Sequence, residues 1–274
     1  MRRWLIAACL LAAFLVTAPA ALANTQTATA GNVTATFTYT GHVPNFKNER
    51  LSIAQAGAVD YNLPVTSAFC GKGCWPLSTL VNRPSVHVLN LEGNGQPDVV
   101  LDLYSGGAHC CTVEQIFSFD PGTMTYVKTE RDFYDAGVKF SDLAHNGREE
   151  LVTADELFAY EFTDFADSAL PIQIFSFSGR RFTNVTRSYP KLIAKDAARW
   201  LKAYKARNRR RYQTGVGVIA AWAADEDLLG KEKLVSRYLN QQARAGRLTN
   251  PQGAGGKRFV AKLQNFLRKH GYRS

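Results

Sequence analysis

The hydrophobic pattern of the chain changes from a period of two to a period of about 3.6 near residue 190. Over residues 33–40, apolar side chains alternate with threonine, which predicts a strand with one buried face. Further strands are predicted at four apolar runs, at residues 51–54, 61–64, 99–103 and 112–119. The larger, N-terminal part of the chain is therefore expected to be rich in β structure.

Beyond residue 190, apolar residues recur at helical spacing. Ile193, Ala197, Trp200, Leu201 and Tyr204 form one stripe of an amphipathic helix. Two more helical regions are predicted, at residues 216–243 with an interruption near residue 230, and at residues 257–269. Such stripes bury one another in a small bundle or pack on the β part.

A polar loop within residues 86–111 carries an oxygen-bearing side chain at every second position. The candidate ligands are Asn90, Glu92, Asn94, Gln96 and Asp98, with Gln96 offering its backbone carbonyl. Calcium takes about six to eight oxygen ligands, and a short loop supplies them by turning its side chains inward. The spacing predicts a calcium site, and the alternative is a metal-free turn, because Asn-Gly pairs are typical of hairpins.

A second polar loop repeats this frame 52 residues further on. Its candidate calcium ligands are Asp142, Asn146 and Glu150. Ala144 stands where a further ligand is expected, so a metal-free second loop is the alternative.

The strands that follow the two loops repeat as well, because Ile-Phe-Ser-Phe occurs at residues 116–119 and again at residues 174–177. This pair of units resembles the FG-GAP or VCBS type of repeat over about residues 86–190. The resemblance implies β-blades supported by calcium and an extracellular adhesive or ligand-binding role. Two repeats are fewer than the four to eight blades of a closed propeller. We therefore expect an α+β fold, in which a partial or open propeller-like domain precedes a small C-terminal helical domain.

The first residues of the chain have the features of a secretory signal peptide, predicted at 1–23. A basic start is followed by an apolar run at residues 4–16 and by Ala-Leu-Ala at residues 21–23. The apolar run is shorter than a membrane span of about 20 residues, and no later segment could cross a bilayer. We expect a secreted protein, extracellular or periplasmic, with a repeat domain at 24–190 and a helical domain at 191–274.

Charge separates these two predicted domains. Residues 24–190 contain 11 Lys plus Arg and 18 Asp plus Glu, whereas residues 191–274 contain 20 and 5. The cationic clusters are Arg207, Arg209, Arg210 and Arg211, and then Lys257, Arg258, Arg268, Lys269 and Arg273. In an exported protein they favour an anionic envelope polymer, a glycan or a membrane surface as partner. No nucleic-acid recognition motif accompanies the charge, and the alternative is a solvated helical face.

Four cysteines remain after the signal peptide is removed. In an oxidising compartment an even number favours two disulfides. Because adjacent cysteines pair poorly, we expect Cys70 and Cys74 to be bonded to Cys110 and Cys111. The alternative is a zinc or copper site that uses these thiolates together with His109.

Two groups of residues suggest catalysis. Ser105 and His109 could act as nucleophile and base, but they lack a G-x-S-x-G frame, so a glycine turn between strands is favoured. Residues 155–167 interleave acids with aromatic residues, which is typical of sugar-binding sites and of strands with one solvated face. The acids that could serve a hydrolase are Asp155, Glu156 and Glu161.

The export signal, the repeated loop and the cationic helices together predict a calcium-stabilised, non-enzymatic binding module of the cell envelope or extracellular space. A secreted hydrolase that acts on glycans or esters is one alternative. A purely structural secreted protein, in which disulfides and calcium serve only stability, is the other.

Overall fold

The computed structural model describes residues 23–71, 73–107, 110–207, 215–250 and 253–273, and in these ranges thirteen strands precede four helices. The strands are β1 (Asn24–Ala30), β2 (Val33–His42), β3 (Asn45–Gln55), β4 (Ala58–Pro64), β5 (Trp75–Pro76), β6 (Val86–Leu89), β7 (Asp98–Gly107), β8 (Cys110–Asp120), β9 (Thr125–Asp132), β10 (Lys139–Ser141), β11 (Glu150–Ala154), β12 (Ile172–Ser178) and β13 (Arg181–Asn184). The helices are α1 (Pro190–Arg207), α2 (Val216–Leu228), α3 (Glu232–Arg244) and α4 (Gly256–Lys269).

The described strands form three antiparallel sheets that follow one another along the chain. The first sheet has the order β1-β2-β3-β4, and the third has the order β10-β11-β12-β13. The second has the order β5-β7-β8-β9, with β6 also paired to β7. Because these sheets precede four helices, the α+β prediction is confirmed. None of the three sheets closes on itself, and the structure does not show a propeller.

Strand β2 illustrates how the alternating pattern builds the first core. Val33, Ala35 and Phe37 have no exposed surface, whereas the threonines between them remain partly exposed. Together with Leu51 and Ile53 of β3, these side chains pack against the second sheet. The period-two prediction is confirmed, because a strand presents alternate side chains to opposite faces.

A second core lies between the second and third sheets. Val100 and Ile116 from the second sheet pack with Leu151 and Phe177 from the third. Leu91, from the first polar loop, is also fully buried there. The polar loop therefore contributes an anchor to the core.

The other three helices pack around α2, in which eleven of thirteen residues are buried. Trp222 of α2 contacts Tyr238 of α3, with 5.0 Å between ring centroids. The helical predictions are confirmed, and region 216–243 divides into two helices at Gly230, whose positive φ suits a residue without a Cβ. No helix in the described ranges is long and apolar enough to span a membrane.

Residues 155–171, between β11 and β12, join the helical core instead of a sheet. They contain a 3₁₀ turn at Glu156–Phe158 and no strand. Phe158 and Phe162 are buried and contact Phe266 of α4 edge-on, with 5.0 and 5.2 Å between ring centroids. A strand interpretation of this segment is wrong, because its aromatic residues find their partners on a helix.

The structure corrects the predicted disulfide pairing. Cys70 is bonded to Cys74, with 5.2 Å between the Cα atoms. The glycine-rich turn between them brings the two residues within disulfide range, so the bridges predicted from them to Cys110 and Cys111 are wrong. Neither Cys70 nor Cys74 is free to act as a thiolate metal ligand. Cys111 is also disulfide-bonded, whereas His109 and the side chain of Cys110 lie outside the described residues.

Candidate functional site

The two polar loops, which join β6 to β7 and β10 to β11, pack against each other. The N–H of Asn90 donates to the Glu149 carboxylate at 3.0 Å, and the N–H of Glu149 donates to the Asn90 carbonyl at 3.0 Å. The side-chain amide of Asn90 also donates to the carbonyl of Gly147. These reciprocal bonds hold the second sheet to the third.

Arg148 reinforces the contact between the loops. Its guanidinium donates to the carbonyl of Leu91 from Nη2 at 3.1 Å and from Nε at 3.3 Å. The side chain lies over Gly93, where a Cβ would be 2.3 Å from the Arg148 Cδ. Gly93 also has a φ of +69°, which favours glycine, and a side chain at this position would displace the Arg148 side chain.

The last acid of each loop closes that loop by the same hydrogen bond. Asp98 accepts the N–H of Leu91 at 3.2 Å, and Glu150 accepts the N–H of Leu143 at 2.9 Å. Asp98 also accepts the Ser118 hydroxyl at 2.6 Å. Burial raises the pKa of Asp98 to about 6, and the bond from Ser118 opposes that shift. Both acids therefore act as internal acceptors for their own loops.

The other predicted ligands of the first loop accept hydrogen bonds from the protein too. Glu92 accepts the N–H of Arg180 at 3.1 Å and the side-chain amide of Asn94 at 3.0 Å. The side-chain oxygen of Asn94 accepts the N–H of Gln96 at 2.9 Å. The Gln96 amide oxygen accepts from Gln55 in β3 at 3.0 Å, so this side chain points toward the first sheet. A calcium ion in the first loop would compete with these donors.

The predicted ligands of the second loop also accept hydrogen bonds from the protein. Asp142 accepts the N–H groups of Asn146 and Gly147 at 3.0 and 2.9 Å, and Asn146 accepts the N–H of Arg148 at 3.0 Å. Within the described part of the chain, no three His, Cys, Asp or Glu residues are grouped to hold a metal ion. Hydrogen bonds thus organise both loops in this geometry, and calcium binding stays a prediction.

Ser105 lies near the end of β7, shortly before the turn that leads to β8. Its hydroxyl accepts the N–H of Cys111 at 2.9 Å. His109, its partner in the catalytic interpretation, lies outside the described residues. Ser105 therefore serves as an acceptor that shapes the turn.

The three acids of the hydrolase alternative lie in different environments. Asp155 is buried and accepts the Tyr272 hydroxyl at 2.5 Å. Glu156 lines the same cavity as Asp155, whereas Glu161 lines another one and pairs with Lys262 at 3.0 Å. The structure does not bring the three carboxyl groups together in one site.

A cleft of about 560 Å³ lies beside Asp155, where the end of β9 and the start of β12 meet residues 155–171. We call it the tyrosine cleft. Its lining includes the side chains of Arg131, Asp132, Tyr134, Glu156, Leu157, Tyr160 and Gln173. Tyr134 is 51% exposed and Tyr160 is 61% exposed, so large aromatic surfaces are available to a ligand.

Both exposed tyrosines of the tyrosine cleft have an unusual backbone conformation. The φ angle is +50° at Tyr134 and +60° at Tyr160, in the left-handed region that bulky residues rarely occupy. Such a conformation costs on the order of 1–3 kcal/mol and is concentrated at functional sites. The fold therefore holds these two aromatic residues in strained positions at one cleft.

The tyrosine cleft combines hydrogen-bond donors with acceptors. The Arg131 guanidinium lies 4.1 Å from the centroid of the Phe175 ring, and burial lowers the pKa of Arg131. Asp132 accepts the N–H of Tyr134 at 2.7 Å, and Glu156 accepts the N–H of residue 136 at 2.7 Å. Burial raises the pKa of both Asp132 and Glu156. With Asp155 included, acidic groups outnumber basic groups in this lining.

Sequence reasoning found one side of the tyrosine cleft and missed the other. Residues 155–167 were recognised by their alternation of acids and aromatics. The same signal is present at residues 132–135, Asp-Phe-Tyr-Asp, where Tyr134 stands between two acids. Only the fold brings the end of β9 next to the segment that follows β11.

Comparisons with known proteins provide distant relatives. No family model matches the chain, and no solved structure matches it. A curated protein of Synechocystis sp., named as a probable thylakoid lumen protein, is 26% identical over 148 residues, which cover 50% of this chain and 41% of the relative. An uncharacterized protein of Sinorhizobium fredii is 24% identical over 138 residues, which cover 50% of this chain and 21% of the relative. The chain thus spans less than half of the length of each relative.

Proposed function

We propose that this chain is a non-enzymatic binding module that acts outside the cytoplasm and holds a glycan in the tyrosine cleft. The observation that carries the proposal is the pair of exposed rings, Tyr134 and Tyr160, at positive φ beside charged and amide side chains. Aromatic rings offer apolar faces to the C–H groups of a sugar, while polar neighbours exchange hydrogen bonds with its hydroxyls.

The charge of the tyrosine cleft favours an uncharged sugar. Arg131 is opposed by Asp132, Asp155 and Glu156, so an acidic sugar would meet like charge. Arg131 and Gln173 supply donors, and Asp132 and Glu156 supply acceptors. This mixture suits a neutral oligosaccharide, whose hydroxyl groups both donate and accept.

Two observations support a location outside the cytoplasm. Cys70 and Cys74 form a disulfide, which is typical of oxidising compartments. The Synechocystis relative is named as a probable lumen protein. The resemblance of residues 86–190 to FG-GAP or VCBS repeats, which stays a prediction, agrees with an extracytoplasmic binding role.

The hydrolase alternative has less support from the geometry. A glycosidase needs two carboxyl groups on opposite sides of the scissile bond. In the tyrosine cleft, Asp155 is buried and accepts the hydroxyl of Tyr272, while Asp132 and Glu156 each accept a backbone N–H, from Tyr134 and from residue 136, so each of the three carboxyl groups is engaged within the protein. Binding without turnover is therefore the function that this arrangement supports best.

The proposal is tested by calorimetric titration of the oxidised mature protein with neutral oligosaccharides of glucose, galactose, mannose and N-acetylglucosamine. We expect one of these series to bind. Tyr160→Ala should weaken that binding by about 1–2 kcal/mol, or roughly five- to thirtyfold in Kd, because it removes a ring from the contact.

Phe69→Ala is the matched control, because Phe69 is 43% exposed and does not line the tyrosine cleft. It should leave the affinity unchanged, and circular dichroism should show native folding in both variants. Absence of binding across the panel, or equal losses in Tyr160→Ala and Phe69→Ala, would refute the proposed site. Release of reducing sugar by the wild-type protein would favour the hydrolase.

A further inference from the structure

Helix α1 carries a row of cations along its solvent face. Its lysines and arginine at i, i+4, i+8, i+11 and i+14 are all exposed, and they are Lys191, Lys195, Arg199, Lys202 and Lys205. At 3.6 residues per turn these positions fall within about 120° of the helix circumference and span about 21 Å. We call this row the α1 cationic stripe.

The α1 cationic stripe is nearly free of counter-charges. Within the described part of the chain, Arg199 pairs with Asp196, and none of the four lysines forms an ion pair. The first turn of α1 contains no acidic residue. Lys191 therefore lies at the positive end of the helix dipole with no acidic residue in the same turn, which is unfavourable for an isolated helix.

Spacing within the stripe adds repulsion between like charges. Lys191 and Lys195, and then Lys195 and Arg199, stand at i,i+4, where side chains are neighbours on the helix surface. Lys202 stands at i+3 from Arg199 and at i−3 from Lys205, which brings further cations together. An anionic partner that runs along α1 would relieve each of these repulsions.

We propose that the α1 cationic stripe is a docking surface for a linear polymer that carries phosphate groups. One row of cations, spaced about one helical turn apart, matches a chain of repeated anions. Lysine suits this task, because its ammonium group is a compact point charge that adjusts to phosphates of variable position. The partner is distinct from the neutral sugar proposed for the tyrosine cleft.

The face of α1 disfavours insertion into a membrane. A helix that binds a bilayer exposes large apolar side chains beside its cations. In α1, Ile193, Ala197 and Tyr204 are buried, and no large hydrophobic residue of this helix is exposed. The stripe offers charge without an apolar anchor, which fits a soluble polyanion better than a lipid surface.

Binding of the oxidised mature protein to inorganic polyphosphate, measured by calorimetry over a series of salt concentrations, tests the inference. The probe variant changes three lysines to glutamine, Lys195→Gln, Lys202→Gln and Lys205→Gln. The matched control removes three exposed cations from one face of α3, by Lys233→Gln, Arg237→Gln and Arg244→Gln. Both variants lose the same net charge.

We expect the α1 variant to bind polyphosphate at least about tenfold more weakly than wild type. The slope of log affinity against log salt should fall by about two to three, because about three phosphate contacts are lost. The α3 control should stay within about twofold of wild type. All three proteins should show the same circular dichroism spectrum and melting temperature to within a few degrees.

Three outcomes would overturn the inference. Equal losses in the α1 and α3 variants would mean that only net charge attracts the polymer. No measurable binding of the wild-type protein at physiological salt would mean that the stripe is a solvated face. Tighter, α1-dependent binding to vesicles of anionic phospholipid than to polyphosphate would assign the stripe to a membrane surface instead.

Discussion

Asp225 tests whether burial of a carboxyl group lowers the stability of this protein at neutral pH. Its side chain has no exposed surface and lies at the contact between α1 and α2. The neighbouring carboxyl group belongs to Asp196 of α1. Asp196 accepts the indole N–H of Trp200 and the N–H of Ile172, each at 3.0 Å, and it also pairs with Arg199. Burial, and next the charge of Asp196, raises the pKa of Asp225 to about 10. Neither carboxylate oxygen of Asp225 has a hydrogen-bond partner in the described part of the chain, so an ionised Asp225 would be uncompensated, and we expect it to be protonated at neutral pH.

The effect of Asp225 on the free energy of unfolding follows from the difference between its pKa values in the folded and unfolded states. An unfolded aspartate has a pKa of about 3.9, so it releases its proton at a lower pH than folded Asp225 does. Below about pH 4, Asp225 is protonated in both states and does not lower the free energy of unfolding. As pH rises above that value, the free energy of unfolding falls by about 1.4 kcal/mol per pH unit, until pH reaches the folded pKa. At pH 7 the loss is about 4 kcal/mol, and this figure holds for any folded pKa well above 7.

Asp225→Asn removes the titration and keeps the shape of the side chain. The amide, like a protonated carboxyl group, places no charge in the buried position, so we expect higher stability at pH 7, by up to about 4 kcal/mol. At pH 4 wild type and variant should be nearly equal. Urea unfolding of the oxidised mature protein at pH 4, 5.5 and 7 measures this, and the stability gain should grow with pH.

Asp227→Asn is the matched control, two residues further along the same helix. Asp227 accepts two hydrogen bonds from Arg273, at 2.8 and 3.1 Å, and both side chains are buried. Its replacement leaves the buried guanidinium with only the more distant Glu232, whose carboxylate lies 3.8 Å away, so stability at pH 7 should fall by up to about 3–5 kcal/mol. An Asp225→Asn variant that is less stable than wild type at pH 7, or equally stabilised at pH 4 and pH 7, would show that Asp225 is ionised in the folded state.

Two further predictions concern the polar loops. If the first loop binds calcium, excess calcium should raise unfolding stability over a chelator by about 2.7 kcal/mol at a hundredfold excess over Kd, and Asp98→Ala should abolish the increase; identical melting curves in calcium and chelator would contradict this. Arg148→Ala should lower stability by about 1–3 kcal/mol in urea unfolding, because it leaves the Leu91 carbonyl without its charged donor. Arg180→Ala, which removes a half-exposed ion pair with Asp120, should cost less than about 1 kcal/mol, and equal losses would show that Arg148 does not hold the loops together.

Arg273 has a different role in the structure from the one that the sequence predicts. The sequence places it in the cationic cluster around the last helix, but its side chain is 7% exposed and binds Asp227. Residues 209–211 of the other predicted cluster lie outside the described residues. The α1 cationic stripe was not predicted as a cluster, because its members are three or four residues apart and adjoin only on a helix surface.

The local architecture follows directly from patterns in the sequence. Alternation at residues 33–40 predicted β2, and spacing of 3.6 after residue 190 predicted helices, because side-chain periodicity follows from backbone geometry within each element. The charge difference between the two parts and the positions of the polar loops are likewise properties of short segments.

Contacts between residues that are distant in the sequence depend on the tertiary fold. The tyrosine cleft joins Tyr134 to Tyr160, and Asp225 acquires its raised pKa beside Asp196. Each of these outcomes depends on packing between elements, on the water that packing excludes, and on the donors that remain nearby. No pattern within one segment contains that information, because burial and long-range contact arise only when the sheets and helices assemble.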